Sequence, residues 1–210
     1  MRKILVLGLV GVLALVLAGC GGGDGRQDTV IARTLSIQSV DGDIGLSPPP
    51  GSTYTISQAT ATNDVVFGID SGASEFRAFL DFPLDGSNGG DAIPLNAVIV
   101  AADIEVFVNS LSFAATVPTL LDLVQYPVSG LTPADFDSAP LLTRSLFSFL
   151  PGDVNNFVRI DITSLMVEAQ RLGLSNLQLR FLLDFSASAG FVALDDGAGV
   201  RAPLLTVEYR

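Results

Sequence analysis

The chain has 210 residues, 49% of them hydrophobic, with 22 acidic side chains against 11 basic ones, no His, no Trp and a single Cys. Without His, a Ser-His-Asp triad, a His-bearing zinc site and imidazole acid–base chemistry are excluded, and one Cys excludes an intramolecular disulfide. A net charge of -11 opposes electrostatic attraction to phosphate backbones, so nucleic acid is not an expected partner.

Met1-Arg2-Lys3 precede an apolar run from Ile4 to Ala18, which closes as Leu17-Ala18-Gly19-Cys20. Two early cations, a run too short for a comfortable span of ~20 residues, and small residues beside a cut point have the layout of a secretion signal. The closing tetrapeptide resembles the lipobox of bacterial lipoproteins. That resemblance implies cleavage before Cys20, diacylation of its thiol and further acylation of the new amine, making Cys20 the membrane anchor. At ~0.8 kcal/mol per buried methylene, two or three acyl chains hold where one is marginal. Residues 1–19 are therefore expected to be a signal peptide outside the fold. Removing Arg2 and Lys3 leaves 9 cations, all Arg, against 22 acids, a net charge near -13. The only Lys leaves as well, and Schiff-base and Ser-Lys chemistry go with it. Residues 20–29, opening with Gly21-Gly22-Gly23-Asp24-Gly25, have no apolar period and read as a flexible tether. In the lipoproteins resembled, an Asp directly after the Cys favours inner-membrane retention. Gly21 lacks that signal, so the expected location is the outward face of the cell envelope, on the outer membrane where one exists.

Residues 30–210 are of a length for one domain. Their acids are almost all Asp, which favours turns, rather than Glu, which favours helices. Short runs of Val, Ile, Leu and Phe divided by Gly, Asp, Pro and Ser predict strands near 30–39, 54–58, 64–69, 76–82, 97–101, 119–126 and 144–149. Period-two alternation predicts further strands. One places Ile104, Val106 and Val108 inward, another Val158, Ile160 and Ile162. A third places Leu177, Leu179, Phe181, Leu183 and Phe185 inward, opposite Gln178, Arg180, Leu182 and Asp184, and a last one Leu205, Val207 and Tyr209. Ser164–Leu172 breaks the pattern, with Leu165, Met166, Ala169 and Leu172 at helical spacing, Thr163 or Ser164 as caps and a stop at Gly173. The expected fold class is all-β, a sandwich of two antiparallel sheets with one short helix.

Four blocks extend the reading. Phe76-Arg77-Ala78-Phe79-Leu80-Asp81-Phe82-Pro83-Leu84, Ala92-Ile93-Pro94-Leu95-Asn96-Ala97, Ile160-Asp161-Ile162-Thr163-Ser164-Leu165-Met166-Val167 and Pro203-Leu204-Leu205-Thr206-Val207-Glu208-Tyr209 occur in that order. Together they resemble the hallmarks of DNRLRE domains, which are related to family 96 carbohydrate-binding modules, over about residues 54–210. The resemblance implies a jelly-roll-like β-sandwich on a bacterial surface protein, with polysaccharide binding in some relatives and no chemistry of its own. The chain departs from the family at Ala169, where a Trp is usual, and at Leu194-Asp195-Asp196, where a serine and glutamate often precede the last strand.

Candidate sites follow from residue chemistry. Asp41-Gly42-Asp43 and Asp195-Asp196-Gly197 each place two hard oxygen ligands on what reads as a tight loop, the ligand type calcium takes; solvated turn residues are the competing reading. No other cofactor is required. Arg77, Arg159 and Arg180 lie opposite the core rows near Asp81, Asp161 and Asp184, as an ion-pair lattice or, with Tyr126, as a ligand-binding groove for an anionic sugar. An exposed apolar row including Phe79 and Phe107 would instead favour a cell-surface protein partner, as in a structural or adhesion module. A carboxylate pair is the only catalytic route the composition leaves, the expectation being no enzyme activity.

Overall fold

The computed structural model describes residues 28–58, 64–197 and 199–210; the signal segment, Cys20 and most of the tether lie outside the described residues. Among the described residues, twelve strands run in the order β1 (Val30–Leu35), β2 (Gly42–Leu46), β3 (Tyr54–Gln58), β4 (Asp64–Ile69), β5 (Glu75–Pro83), β6 (Ile99–Ser112), β7 (Val117–Val124), β8 (Leu142–Phe149), β9 (Phe157–Asp161), β10 (Asn176–Leu183), β11 (Gly190–Asp195) and β12 (Leu204–Tyr209), with α1 (Thr163–Arg171) between β9 and β10. The named strands pair antiparallel, in the path β1-β12-β6-β11-β4-β5-β10-β7-β8; β2 and β3 branch from β5, and β9 from β6. The protein is all-β, with curled antiparallel sheets and one helix.

The 14-residue β6 joins two regions of pairing. Residues up to Phe107 face β9 and β12, whereas Val108 and its successors face β11. Sequence reading expected two segments here, near 97–101 and around 104–108; they are one strand, in which Ala102, Ile104, Val106 and Val108 keep one continuous inward row. The main core lies against this curl. Ile104, Val106 and Val108 of β6, Leu80 and Phe82 of β5, Leu179 and Phe181 of β10, and Leu205 and Val207 of β12 are fully buried together. Helix α1 adds Leu165, Met166 and Ala169 to the same core and stops before Gly173, as its spacing predicts. Its first turn is served by Asp161, whose Oδ1 accepts from Thr163 N at 2.8 Å, while the Thr163 hydroxyl turns to Ala102 instead of capping.

Two strands escape the pattern. β11 is short, and β2 reads Gly-Asp-Ile-Gly-Leu, a composition that marks turns elsewhere. The glycines of β2 answer to close neighbours: a Cβ on Gly42 would sit 2.4 Å from Ser57 O, and one on Gly45 would sit 2.6 Å from the Phe76 ring. A strand glycine of this kind marks close approach, not a break. Phe185 corrects another expectation, since β10 ends at Leu183 and Phe185 is 77% exposed rather than core. Phe79 and Phe107 are buried, so the exposed apolar row does not form.

Candidate functional site

β5 and β10 are buried on both faces, which alternation alone does not require. Behind the main core, the outward row of β5 holds Arg77, Phe79 and Asp81, and that of β10 holds Gln178, Arg180 and Leu182. Residues 125–138 lie across these rows as a strap. Phe79, Val124, Tyr126, Leu131 and Phe136 pack beneath it with Val40 and Ile44 of the β2 region into a second, smaller core. Polar side chains pin the strap to the strands. Gln178 bonds both backbone groups of Tyr126, donating to its O at 3.0 Å and accepting from its N at 2.9 Å. Gln58 accepts from Leu131 N at 2.9 Å. A short 3₁₀ turn at Pro133–Asp135 is closed by Asp135 Oδ2, which accepts from Thr132 N at 2.7 Å and from its hydroxyl at 2.8 Å.

Arg180 is the main pin. Its Nη2 meets Asp122 Oδ2 at 2.6 Å, and its Nη1 donates to the carbonyls of Asp135, Phe136 and Ser138 at 3.2, 2.9 and 2.9 Å. Register explains the ion pair, because Arg180 stands directly opposite Asp122 of β7. Thr143 of β8 donates to the other Asp122 oxygen at 2.5 Å. Arg77 bonds Glu75 at 2.8 Å, Asp137 at 3.0 Å and the Phe136 carbonyl, and its guanidinium lies 3.9 Å from the Phe136 ring centre. The expected lattice of charges exists, but with other partners than Asp81, Asp161 and Asp184: Arg159 pairs with Asp103 at 2.5 Å, and Asp161 with Arg144 at 3.2 Å. Arg180 and Arg159 find their acids on neighbouring strands, β7 and β6, while Arg77 takes Glu75 of its own strand and Asp137 of the strap.

Arg77 and Arg180 come together on the wall of one groove of about 350 Å³, between the strap and the β7–β10 face, with Asp137, Ser138, Thr143 and the exposed Phe185 around it. Arg159 lies elsewhere, in an open groove beside Asp103 and Thr163. Tyr126 belongs to neither of these grooves; it is 6% exposed and packs edge-on against Phe79 with ring centres 5.5 Å apart.

The two Asp-rich segments, separated by over 150 residues of chain, meet inside the protein. Asp41, Asp43, Asp195 and Asp196 are 0%, 5%, 9% and 5% exposed, which overturns the solvated-turn reading. Nor are they loops throughout, since Asp43 lies in β2 and Asp195 closes β11. Asp41 Oδ1 accepts from Asp81 N at 2.6 Å, and its carboxyl lies beside that of Asp196. Burial first, and then the neighbouring Asp196 charge, push the Asp41 carboxyl well above the usual range. Burial pushes Asp43 up to about 7 and, with Asp195 and Asp64 nearby, Asp196 up to about 6. Asp64 and Asp195, opposite each other across β4 and β11, both receive the Asn109 amide, at 2.5 and 3.2 Å. Sequence reading missed Asp81 and Tyr126 as members of this cluster. Burial, followed by the charges of Asp41, Asp81, Asp196 and Asp135, raises the Tyr126 phenol well above its ordinary value.

The chain matches no model of a known protein family, and no curated protein matches it.

Proposed function

We propose that the protein is a lipid-anchored, outward-displayed envelope protein whose jelly-roll-like β-sandwich binds a cell-wall or environmental polysaccharide without chemistry of its own. The groove beside Arg180 carries this reading. Sugar rings offer apolar faces to aromatic side chains and hydroxyls to polar ones. Phe185 presents an exposed ring at that groove, and Asp137, with a side chain 70% exposed, presents acceptors for hydroxyl protons. The donors of Arg180 are engaged by Asp122 and the strap carbonyls, so a neutral, hydroxyl-rich glycan suits the groove better than an anionic one. The four motif blocks shared in order with DNRLRE domains support the sandwich and the ligand class, and the lipobox-like Leu17-Ala18-Gly19-Cys20 supports the anchor.

On a glycan array, the full chain should be retained by neutral polysaccharides. Phe185→Ala should weaken that binding about tenfold, or ~1.4 kcal/mol, without moving the thermal melt. Retention on no glycan at all would turn attention to the alternative, a structural or adhesion module for a protein partner. The observation favouring that alternative is the β3 edge, where Tyr54 and Ile56 are 42% and 37% exposed. Anchoring has its own test. Cys20→Ala should leave an unprocessed precursor lacking acyl mass, read by detergent partitioning and mass spectrometry, and equal processing of both forms would remove the lipoprotein reading.

A further inference from the structure

The geometry points to a calcium site built jointly by Asp41 and Asp196, with the hydroxyls of Ser36 and Tyr126 as neighbouring neutral oxygens. Five buried side-chain oxygens in this region have no hydrogen-bond partner: Ser36 Oγ, Asp41 Oδ2, Asp81 Oδ1, Tyr126 Oη and Asp196 Oδ1. Asp41 and Asp81 have no exposed surface, and Tyr126 is 6% exposed with its hydroxyl in the field of both acids and of Asp196. Buried polar atoms left so are costly, and buried carboxylates far more so, unless a counter-charge or a proton reaches them.

The surrounding groups supply little positive charge. Asp64, Asp81 and Asp195 add further acids, and the nearby basic contact is Arg201, at 3.8 Å from Asp195. One proton shared between Asp41 and Asp196 would satisfy two of the five oxygens and leave the Tyr126 hydroxyl as it is. A divalent cation answers both the charge and the orphaned oxygens at once. The donors are all oxygen, with neither imidazole nor thiolate among them, and calcium accepts six to eight such ligands in flexible geometry. Among the described residues no group of three acidic side chains is arranged to hold an ion by itself. The site therefore rests on two carboxylates, and neutral oxygens must complete it. It joins the start of β2 to the end of β11, so the ion would clamp segments far apart in sequence.

The test uses the full chain in detergent, stripped by a chelator. Millimolar calcium should raise the melting temperature, sodium at equal ionic strength should not, and magnesium should do less because it demands a tighter octahedral shell. Terbium excited through tyrosine should emit and be displaced by calcium; with no Trp in the chain, the sensitiser is Tyr. Tyr126→Phe should remove most of that emission while leaving a calcium-dependent melt. Asp196→Asn should weaken the calcium response at least tenfold. A wild-type melt indifferent to calcium, without displaceable terbium emission, overturns the site. The acid pair then shares a proton. Its raised folded-state values would give stability that is full below about pH 4 and lost as pH rises through the folded-state values, about 6 for Asp196, because the unfolded chain releases those protons first.

Discussion

Arg180→Ala should destabilise the protein by ~3–5 kcal/mol in denaturant melts, the scale for breaking a buried ion pair by removing one partner. Both side chains are 4% exposed, so Asp122 would remain buried without its cation, with only the Thr143 hydroxyl still donating to it. A second measurement separates the ion pair from the pin. Replacing a whole buried pair with apolar residues is often neutral. Here Arg180→Met with Asp122→Leu should still be destabilised, by about 1–3 kcal/mol, because the Ser138 carbonyl loses its donor, whereas Asp135 O keeps the Ser138 hydroxyl and Phe136 O keeps Arg77. Hydrogen exchange should locate the damage in residues 125–138. A double variant as stable as the wild type would mean that the strap holds without Arg180.

Phe181→Ala should cost ~3–5 kcal/mol, and for a different reason: it opens a cavity in the main core. Phe181 is fully buried and lies 5.6 Å from the Phe67 ring, which in turn contacts Phe149 at 5.8 Å. The three rings come from β10, β4 and β8, and no one of them can shift to fill the gap without disturbing the others. Denaturant melts and near-ultraviolet circular dichroism read both the loss and the loosened aromatic packing. Since Arg180 and Phe181 point to opposite faces of one strand, combining the two changes should cost about 6–10 kcal/mol, within the 5–15 kcal/mol that holds a typical domain together. A melt unmoved by Phe181→Ala would contradict its place in the core.

Strands whose information is local were legible in the sequence. Ile104-Glu105-Val106 and Leu177-Gln178-Leu179 state their own period, and α1 states its spacing and its stop. β2 does not, because the reason for Gly42 and Gly45 lies in Ser57 and Phe76 on neighbouring strands. Phe185 continued the alternation of β10 in sequence after the strand itself had ended. The candidate acids were each visible as Asp-rich segments, but their union was not. It depends on β2 pairing with β5 and β11 pairing with β4, a matter of topology that no window of sequence contains. The strap was hidden likewise. Nothing in Pro127–Ser138 announces a covering layer, and the burial of Arg77 and Arg180 was hidden with it, because their partners include the strap's own carbonyls and Asp137.

The pairing of β1 with β12, which sets Val30 against Tyr209, fixes an order of events during synthesis. Among the described residues the earliest strand has β12 as its one ladder partner, so that side of the sheet stays open until synthesis has reached residue 209. Contacts so distant along the chain also form slowly, because the loop they close must first be ordered. Val30, Ile31 and Leu35, exposed even in the finished sheet, are meanwhile a hydrophobic strand without a partner. A polypeptide built this way is open to chaperones for longer than one assembled from local hairpins, and truncation ahead of Leu204 should strand β1 and yield a protein prone to aggregation.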